Sequence, residues 1–152
     1  MKPTILIAPY ARALRNGKTN PKNFPYWAEL VKLLEPDYDI IQIGVTGEPA
    51  LVSDVRHNCS LAQLKDLIDL CAFWISVDSF LPHMAHYFEK PGFVIWSVSD
   101  PKIFGYPDNY NILKDVRYLR NKQFDIWEAC NFDANAFVSA DEVYKLIKLK
   151  FG

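Results

Sequence analysis

Apolar residues fall along the chain in two alternating patterns. Thr4 to Ala8 (TILIA), Asp39 to Gly44 (DIIQIG), Phe73 to Val77 (FWISV) and Phe93 to Trp96 (FVIW) are short runs rich in β-branched and aromatic residues, and read as buried strands. Between them the apolar period lengthens to that of a helix. Pro25 opens one helix through Tyr26, Trp27, Leu30, Val31 and Leu34, and Pro36 stops it. Leu61, Leu64, Leu67, Ile68 and Cys71 describe one face of a second helix, preceded by Ser60 and Gln63 in capping-box spacing. A third helix is expected around His83 to Phe88. Ser139 and Glu142 repeat the capping pattern before Val143, Leu146 and Ile147, which predicts a closing helix to the C-terminus. The segment from Asp100 to Asn111, rich in Pro, Asn and Tyr, reads as loop. Near-continuously apolar strands alternating with helices predict an α/β fold, a Rossmann-like parallel sheet with helices on both faces.

A chain of 152 residues, half of them apolar, can bury one full core and is expected to form one domain over residues 1–152. The formal charge of −1 gives no electrostatic case for nucleic acid or an anionic membrane. No apolar run approaches the ~20 residues of a membrane span, and only Lys2 precedes the first strand, so a soluble, unexported protein is expected. Cys59, Cys71 and Cys130 are odd in number and lack a C-x-x-C spacing, which fits a reducing cytoplasm better than a disulfide framework.

In an open parallel sheet, ligands bind beyond the carboxyl ends of the strands, where helix N-termini offer N–H groups to anions. Asp78, Ser79 and His83 lie where the third strand gives way to its helix, and Ser97 and Ser99 follow the fourth strand. The structural alternative for Asp78 or Ser79 is a helix cap of ~1 kcal/mol. For His83 in a first helical turn, a neutral imidazole donating to a phosphate or sugar oxygen competes with a partly buried, satisfied histidine. Asp78, His83 and His86 would be a metal set, since the two histidines share a helix face, but no further ligand lies near in sequence and none is expected to be held. The loop Arg12 to Asn23 carries Arg12, Arg15, Lys18 and Lys22; its lysines are placed to meet phosphate oxygens as point charges, or to keep a loop solvated. Glu48, in the turn after the second strand, could accept from a ribose diol or stand as a turn residue. Cys59 and His57 have no oxyanion-type motif around them, so a thiol nucleophile is not expected.

Taken together, these segments resemble the C-terminal, donor-binding half of a GT-B glycosyltransferase, and are most similar to family 9, the ADP-heptose:lipopolysaccharide heptosyltransferases. The resemblance rests on order over residues 4 to 105. The basic loop leads to Lys22-Asn23-Phe24-Pro25-Tyr26-Trp27, like the family's K-x-W-P helix start; Gly44 to Glu48 matches its G-x-x-x-E turn. Asp78-Ser79-Phe80-Leu81-Pro82-His83-Met84-Ala85 matches D-[ST]-G-x-x-H-x-A, and Trp96 to Pro101 (WSVSDP) matches F-G-P-T-D-P. The resemblance implies that Lys18 or Lys22 meets the donor phosphates, Glu48 the ribose, and Ser79 with its following amides the pyrophosphate, with His83 beside them. It implies a nucleotide-diphosphate sugar as substrate, no catalytic metal or other cofactor, and a catalytic base on an acceptor half outside this sequence. No catalytic residue is assigned here; Asp78 would serve as base only for an acceptor entering from an unusual side. A homodimer or a separate acceptor-domain chain would complete the cleft. Two positions depart from the pattern: Phe80 replaces a glycine, and Ser97-Val98 replaces Gly-Pro, so the pocket is expected to be altered or narrowed. The alternative reading is a non-catalytic nucleotide-binding or protein-interaction module, favoured by Phe80, the four tryptophans and the aromatic run Phe104, Tyr106 and Tyr110.

Overall fold

The computed structural model describes residues 1–125 and 129–152; Trp127 lies outside the described residues. Strands β1 (Thr4–Ala8), β2 (Asp39–Gly44), β3 (Asp54–His57), β4 (Trp74–Val77), β5 (Phe93–Ile95) and β6 (Tyr110–Ile112) form one sheet in the order β3-β2-β1-β4-β5-β6. Every pairing is parallel. Five α-helices are described: α1 (Trp27–Leu34), α2 (Leu61–Leu70), α3 (Phe80–Tyr87), α4 (Pro101–Phe104) and α5 (Ala140–Phe151). This is the doubly wound order, so the expected Rossmann-like sheet is found.

Strand alternation sorts the core into two layers. Ile5, Ile7, Ile75, Val77, Phe93 and Ile95 face one side, under α1 and α5. Leu6, Ala8, Ile41, Ile43, Trp74, Val94 and Trp96 face the other, under α2 and α3. Both faces are therefore covered, which is why these strands read as continuous apolar runs. Each fully buried aliphatic side chain contributes on the order of 1.5–3 kcal/mol to this arrangement. The buried polar side chain of Gln42 is satisfied by the loop beyond β2, donating to Pro49 O at 2.9 Å and accepting from Leu51 N at 2.7 Å. The capping box at Ser60 and Gln63 is complete, and Ser139 accepts from Glu142 N at 3.1 Å.

Several boundaries differ from the sequence reading. Helix α1 begins at Trp27, Pro25 and Tyr26 forming a turn ahead of it, and α3 begins at Phe80, earlier than expected. Strand β3 was not expected, because DVRH sits at a sheet edge, half exposed, and carries no apolar run. The segment read as loop holds α4 and β6. Helix α4 is one turn, with Pro101 at its first position and Asp100 accepting from Lys102 N; β6 is three residues long.

Gly92 shows how tightly β5 enters the sheet. A Cβ there would lie 2.2 Å from the Trp74 ring, whose N–H is fixed on Lys90 O at 2.9 Å. Gly92→Ala should therefore cost about 1–3 kcal/mol by overpacking. Urea unfolding monitored by tryptophan fluorescence measures this, and an unchanged midpoint would mean that the ring can move aside.

Candidate functional site

The switch in strand order falls between β1 and β4: from β1 the chain crosses to β2 on one side, from β4 to β5 on the other. In an open parallel sheet this switch point, beyond the carboxyl ends of β1 and β4, is where a ligand crevice lies. Residues 9–26 run along it, fixed by hydrogen bonds from within and from the sheet. Trp27 Nε1 donates to Pro9 O at 3.0 Å, Ala11 N to Asn23 Oδ1 at 2.8 Å, and Asn20 Nδ2 to Arg12 O at 2.7 Å. Asn20 is buried, and its Oδ1 accepts from Lys22 N at 2.9 Å. From the far side, buried Ser97 donates its hydroxyl to Pro21 O at 2.8 Å. The result is a lysine with little freedom. Lys22 Nζ lies 2.9 Å from Asp78 Oδ2, with the two side chains 15% and 14% exposed.

Asp78 leads directly into α3. Ser79 at the N-cap has extended backbone, φ −148° and ψ −156°, and its hydroxyl turns back to Val77 O at 3.3 Å and Ser76 Oγ at 3.1 Å. It does not cap the helix, so the capping alternative does not describe Ser79. Pro82, third in the helix, has no N–H; the amides of Phe80 and Leu81 are left at the positive end of the helix dipole without a capping side chain. Anion binding is the chemistry such an end supports.

Glu48 belongs to the adjoining turn. Its Oε1 accepts from Val45 N at 2.8 Å, directly over Gly44, where a Cβ would stand 2.1 Å from that oxygen. Glycine at 44 is thus the condition for the carboxylate's position. Tyr10, just past β1, senses the same group: its phenol is pushed above its ordinary value of 10.0, first by burial and then by the Glu48 charge. Next to this turn lies a hollow of about 250 Å³, lined by Ile43, Val45, Cys59, Leu64 and Phe80 among others. Its rim is braced by Asn58, in left-handed conformation at φ 56°, whose side chain donates to Thr46 Oγ1 at 2.7 Å.

Not every sequence candidate converges on the crevice. Lys18 lines a different hollow, with Cys130, Asn131 and Phe132. Ser99 is buried and accepts from Arg120 Nη2 at 3.4 Å, while Ser97 holds the loop as described. His83 is exposed and its Nδ1 lies 2.7 Å from the Tyr106 hydroxyl; His86 stacks on the Tyr106 ring at 3.8 Å. Asp78 is turned to Lys22 and the two histidines to Tyr106, so the three do not converge, and among the described residues no group of three His, Cys, Asp or Glu gathers as a metal site.

The aromatic residues read as interface candidates are mostly packed. Trp27, Trp74 and Trp96 are buried, each indole N–H finding an acceptor, and Tyr110 stacks on Phe93 at 4.8 Å. Phe104 and Tyr106 are half-buried. Phe80 remains partly open, 42% exposed. Tyr10 and Asn20 were missed by sequence reasoning, and Tyr106, read as an interface aromatic, was not linked to His83. Tyr10 had a signal, since it follows a strand at the switch point; Asn20 and the pairing of Tyr106 with His83 had none.

No known family model matches the sequence, and no curated protein matches it. Solved structures do match. Over 97% of this chain it superposes on E. coli ADP-heptose LPS heptosyltransferase II with a TM-score of 0.68 at 18% identity, covering 46% of that chain. The iron-containing dodecameric heptosyltransferase TibC of enterotoxigenic E. coli, solved with ADP-D-β-D-heptose, gives 0.70 at 16% identity over 98% of this chain and 45% of its own. A glycosyltransferase family 9 protein of Veillonella parvula gives 0.65 at 13% over 97% and 46%. The fold is therefore that of one half of a family 9 glycosyltransferase, and the chain spans about half the length of these structures. Among the described residues no helix is long and apolar enough to cross a membrane.

Two outcomes follow from this geometry. Ser97→Ala leaves the Pro21 carbonyl buried without its donor and should cost about 1–3 kcal/mol in urea unfolding; a loss below the error of the method would show that the loop does not depend on this bond. Because folded Tyr10 holds its proton more tightly than the unfolded chain, its contribution is complete below the unfolded value near 10 and is lost as pH rises through the higher folded value. Unfolding of wild type and Tyr10→Phe between pH 8 and about 11 should show a steeper alkaline decline in wild type. Parallel curves would exclude that linkage.

Proposed function

We propose that this domain binds a nucleotide-diphosphate sugar donor in the crevice, with Lys22 and the start of α3 meeting the diphosphate and Glu48 the ribose. The nucleobase fits the apolar hollow beside Phe80. Ser97 supports the site from behind, through Pro21. The observation that carries this reading is a half-buried lysine, paired with Asp78, beside an uncapped helix N-terminus at the switch point. TibC was solved with such a donor, and this chain shares its fold.

The reaction is transfer of the sugar to a hydroxyl acceptor. The acceptor oxygen forms a bond to the anomeric carbon, the bond from that carbon to the diphosphate oxygen breaks, and the electron pair leaves with the nucleoside diphosphate. Lys22 and the α3 amides neutralise the departing charge, so no resident metal is required. The hydroxyl proton goes to a base on an acceptor half, supplied by a second copy of this chain or by a separate chain. The three free thiols support a cytoplasmic setting.

Calorimetry against ADP, UDP, GDP and their sugar conjugates, with and without chelator, tests the reading. Saturable, chelator-insensitive binding is expected, weakened by about 1–3 kcal/mol in Lys22→Ala through loss of a charge-assisted contact. Equal affinity in that variant would remove Lys22 from the site. A second reading, a module that binds without transferring, draws on exposed Phe80 and Val45 at the hollow's rim. Saturable donor binding by the wild type with no transfer to any acceptor-domain chain would favour that reading; transfer activity on adding such a chain would exclude it.

A further inference from the structure

We infer that Tyr106 is a positioning residue for His83: its hydroxyl fixes the neutral imidazole with the proton on Nε2, adding one neutral donor to those the start of α3 presents to a diphosphate. This inference rests on the proposed nucleotide-binding reading.

The contact is short and well directed. His83 Nδ1 and the Tyr106 hydroxyl are 2.7 Å apart, and the two rings stand at 81° with centroids 5.5 Å apart, so the hydroxyl meets the edge of the imidazole. A phenol O–H is a good donor and a neutral imidazole nitrogen a good acceptor. With Nδ1 accepting, the ring's single proton must sit on Nε2. His83 is fourth in α3, within one turn of Phe80 and Leu81, whose amides have no side-chain cap, and helical side chains lean toward that end. An Nε2–H there supplies hydrogen bonding without a further positive charge.

Tyr106 is built to hold still. Its carbonyl accepts from Asn111 Nδ2 at 3.0 Å and from Asn109 N at 3.1 Å. Its ring lies flat against His86, 3.8 Å away at 12°. Gly105 before it packs so closely that a Cβ would stand 2.6 Å from Pro101 O. Backbone, ring face and preceding turn are all fixed, which sets the phenolic oxygen against His83. None of these anchors requires the hydroxyl itself; a tyrosine serving packing alone could be phenylalanine.

Tyr106→Phe keeps the stack and removes the hydroxyl. Long-range proton–nitrogen NMR of the free protein, above the imidazole titration, should show His83 as one tautomer, Nε2–H, in wild type and as a mixture in the variant. Nδ1–H in wild type, or an unchanged spectrum in the variant, would overturn the assignment. Calorimetry should show ADP binding weakened about three- to tenfold in Tyr106→Phe, as expected for one neutral hydrogen bond, with adenosine binding unchanged. His83→Ala should lose as much, and the double variant no more than either. A variant that changes tautomer but not ADP affinity would overturn the role toward diphosphate. If wild type binds no nucleoside diphosphate, the proposed function fails, while the tautomer measurement still decides whether Tyr106 sets the His83 proton.

Discussion

The molecule is organised around the pairing of β1 with β4, where the two halves of the winding meet: β1 carries β2 on its other side, and β4 carries β5. Leu6 stands opposite Ile41 of β2 on one side and Trp74 of β4 on the other. All strands run the same way, so their carboxyl ends gather along one border of the sheet. The connections from β1 to β2 and from β4 to β5 lead to opposite sides, which makes this border the topological switch point of the sheet. The two residue layers that cover β1, with Ile5 and Ile7 on one face and Leu6 and Ala8 on the other, give the site a floor that cannot shift without opening both cores.

On that floor the main task of the sequence is to hold a flexible charge. A lysine on a long polar loop has much rotamer freedom to lose, on the order of 1.5–2 kcal/mol. Here the loss is distributed. Asn20 and Ser97, both buried, hold the N–H and the carbonyl of the Pro21–Lys22 peptide, and Asp78 fixes the Lys22 ammonium. The pair is partly withdrawn from water, so its Coulomb gain is offset by desolvation, and its value lies more in preorganisation than in stability. A diphosphate arriving there would meet a cation already in place.

How much of this was legible depended on burial and on sequence distance. β1, β2, β4 and β5 were legible because both faces are covered and nearly every residue is apolar. β3 and β6 lie at the two edges, where Asp54 to His57 and Tyr110 to Ile112 carry too few apolar positions for a period to show. Asp78 and Ser79 could be placed at a strand end, but the sequence could not tell that Ser79 turns its hydroxyl into β4 and leaves the helix uncapped. Ser97 read as a ligand contact and proved to hold a loop, because its partner Pro21 is 76 positions away. Tyr106 pairs with His83 across 23 positions and an unexpected helix, and no local pattern announces such a contact.

Phe80 is where the departure from the family pattern is best understood physically. A side chain at the first position of α3 was expected to crowd the amides that a glycine would leave open. In the structure Phe80 lines the apolar hollow with Ile43, Val45 and Leu64, while Ser79 still leaves the first turn uncapped. The added bulk thus borders the hollow rather than acting as a cap. Under the proposed function, a residue that departs from the phosphate motif would act on the choice of base. The helix N-terminus, which is backbone, would keep the phosphate interaction. A backbone site tolerates side-chain change in a way that a side-chain site does not, so under that proposal the start of α3 keeps its role although two motif positions differ.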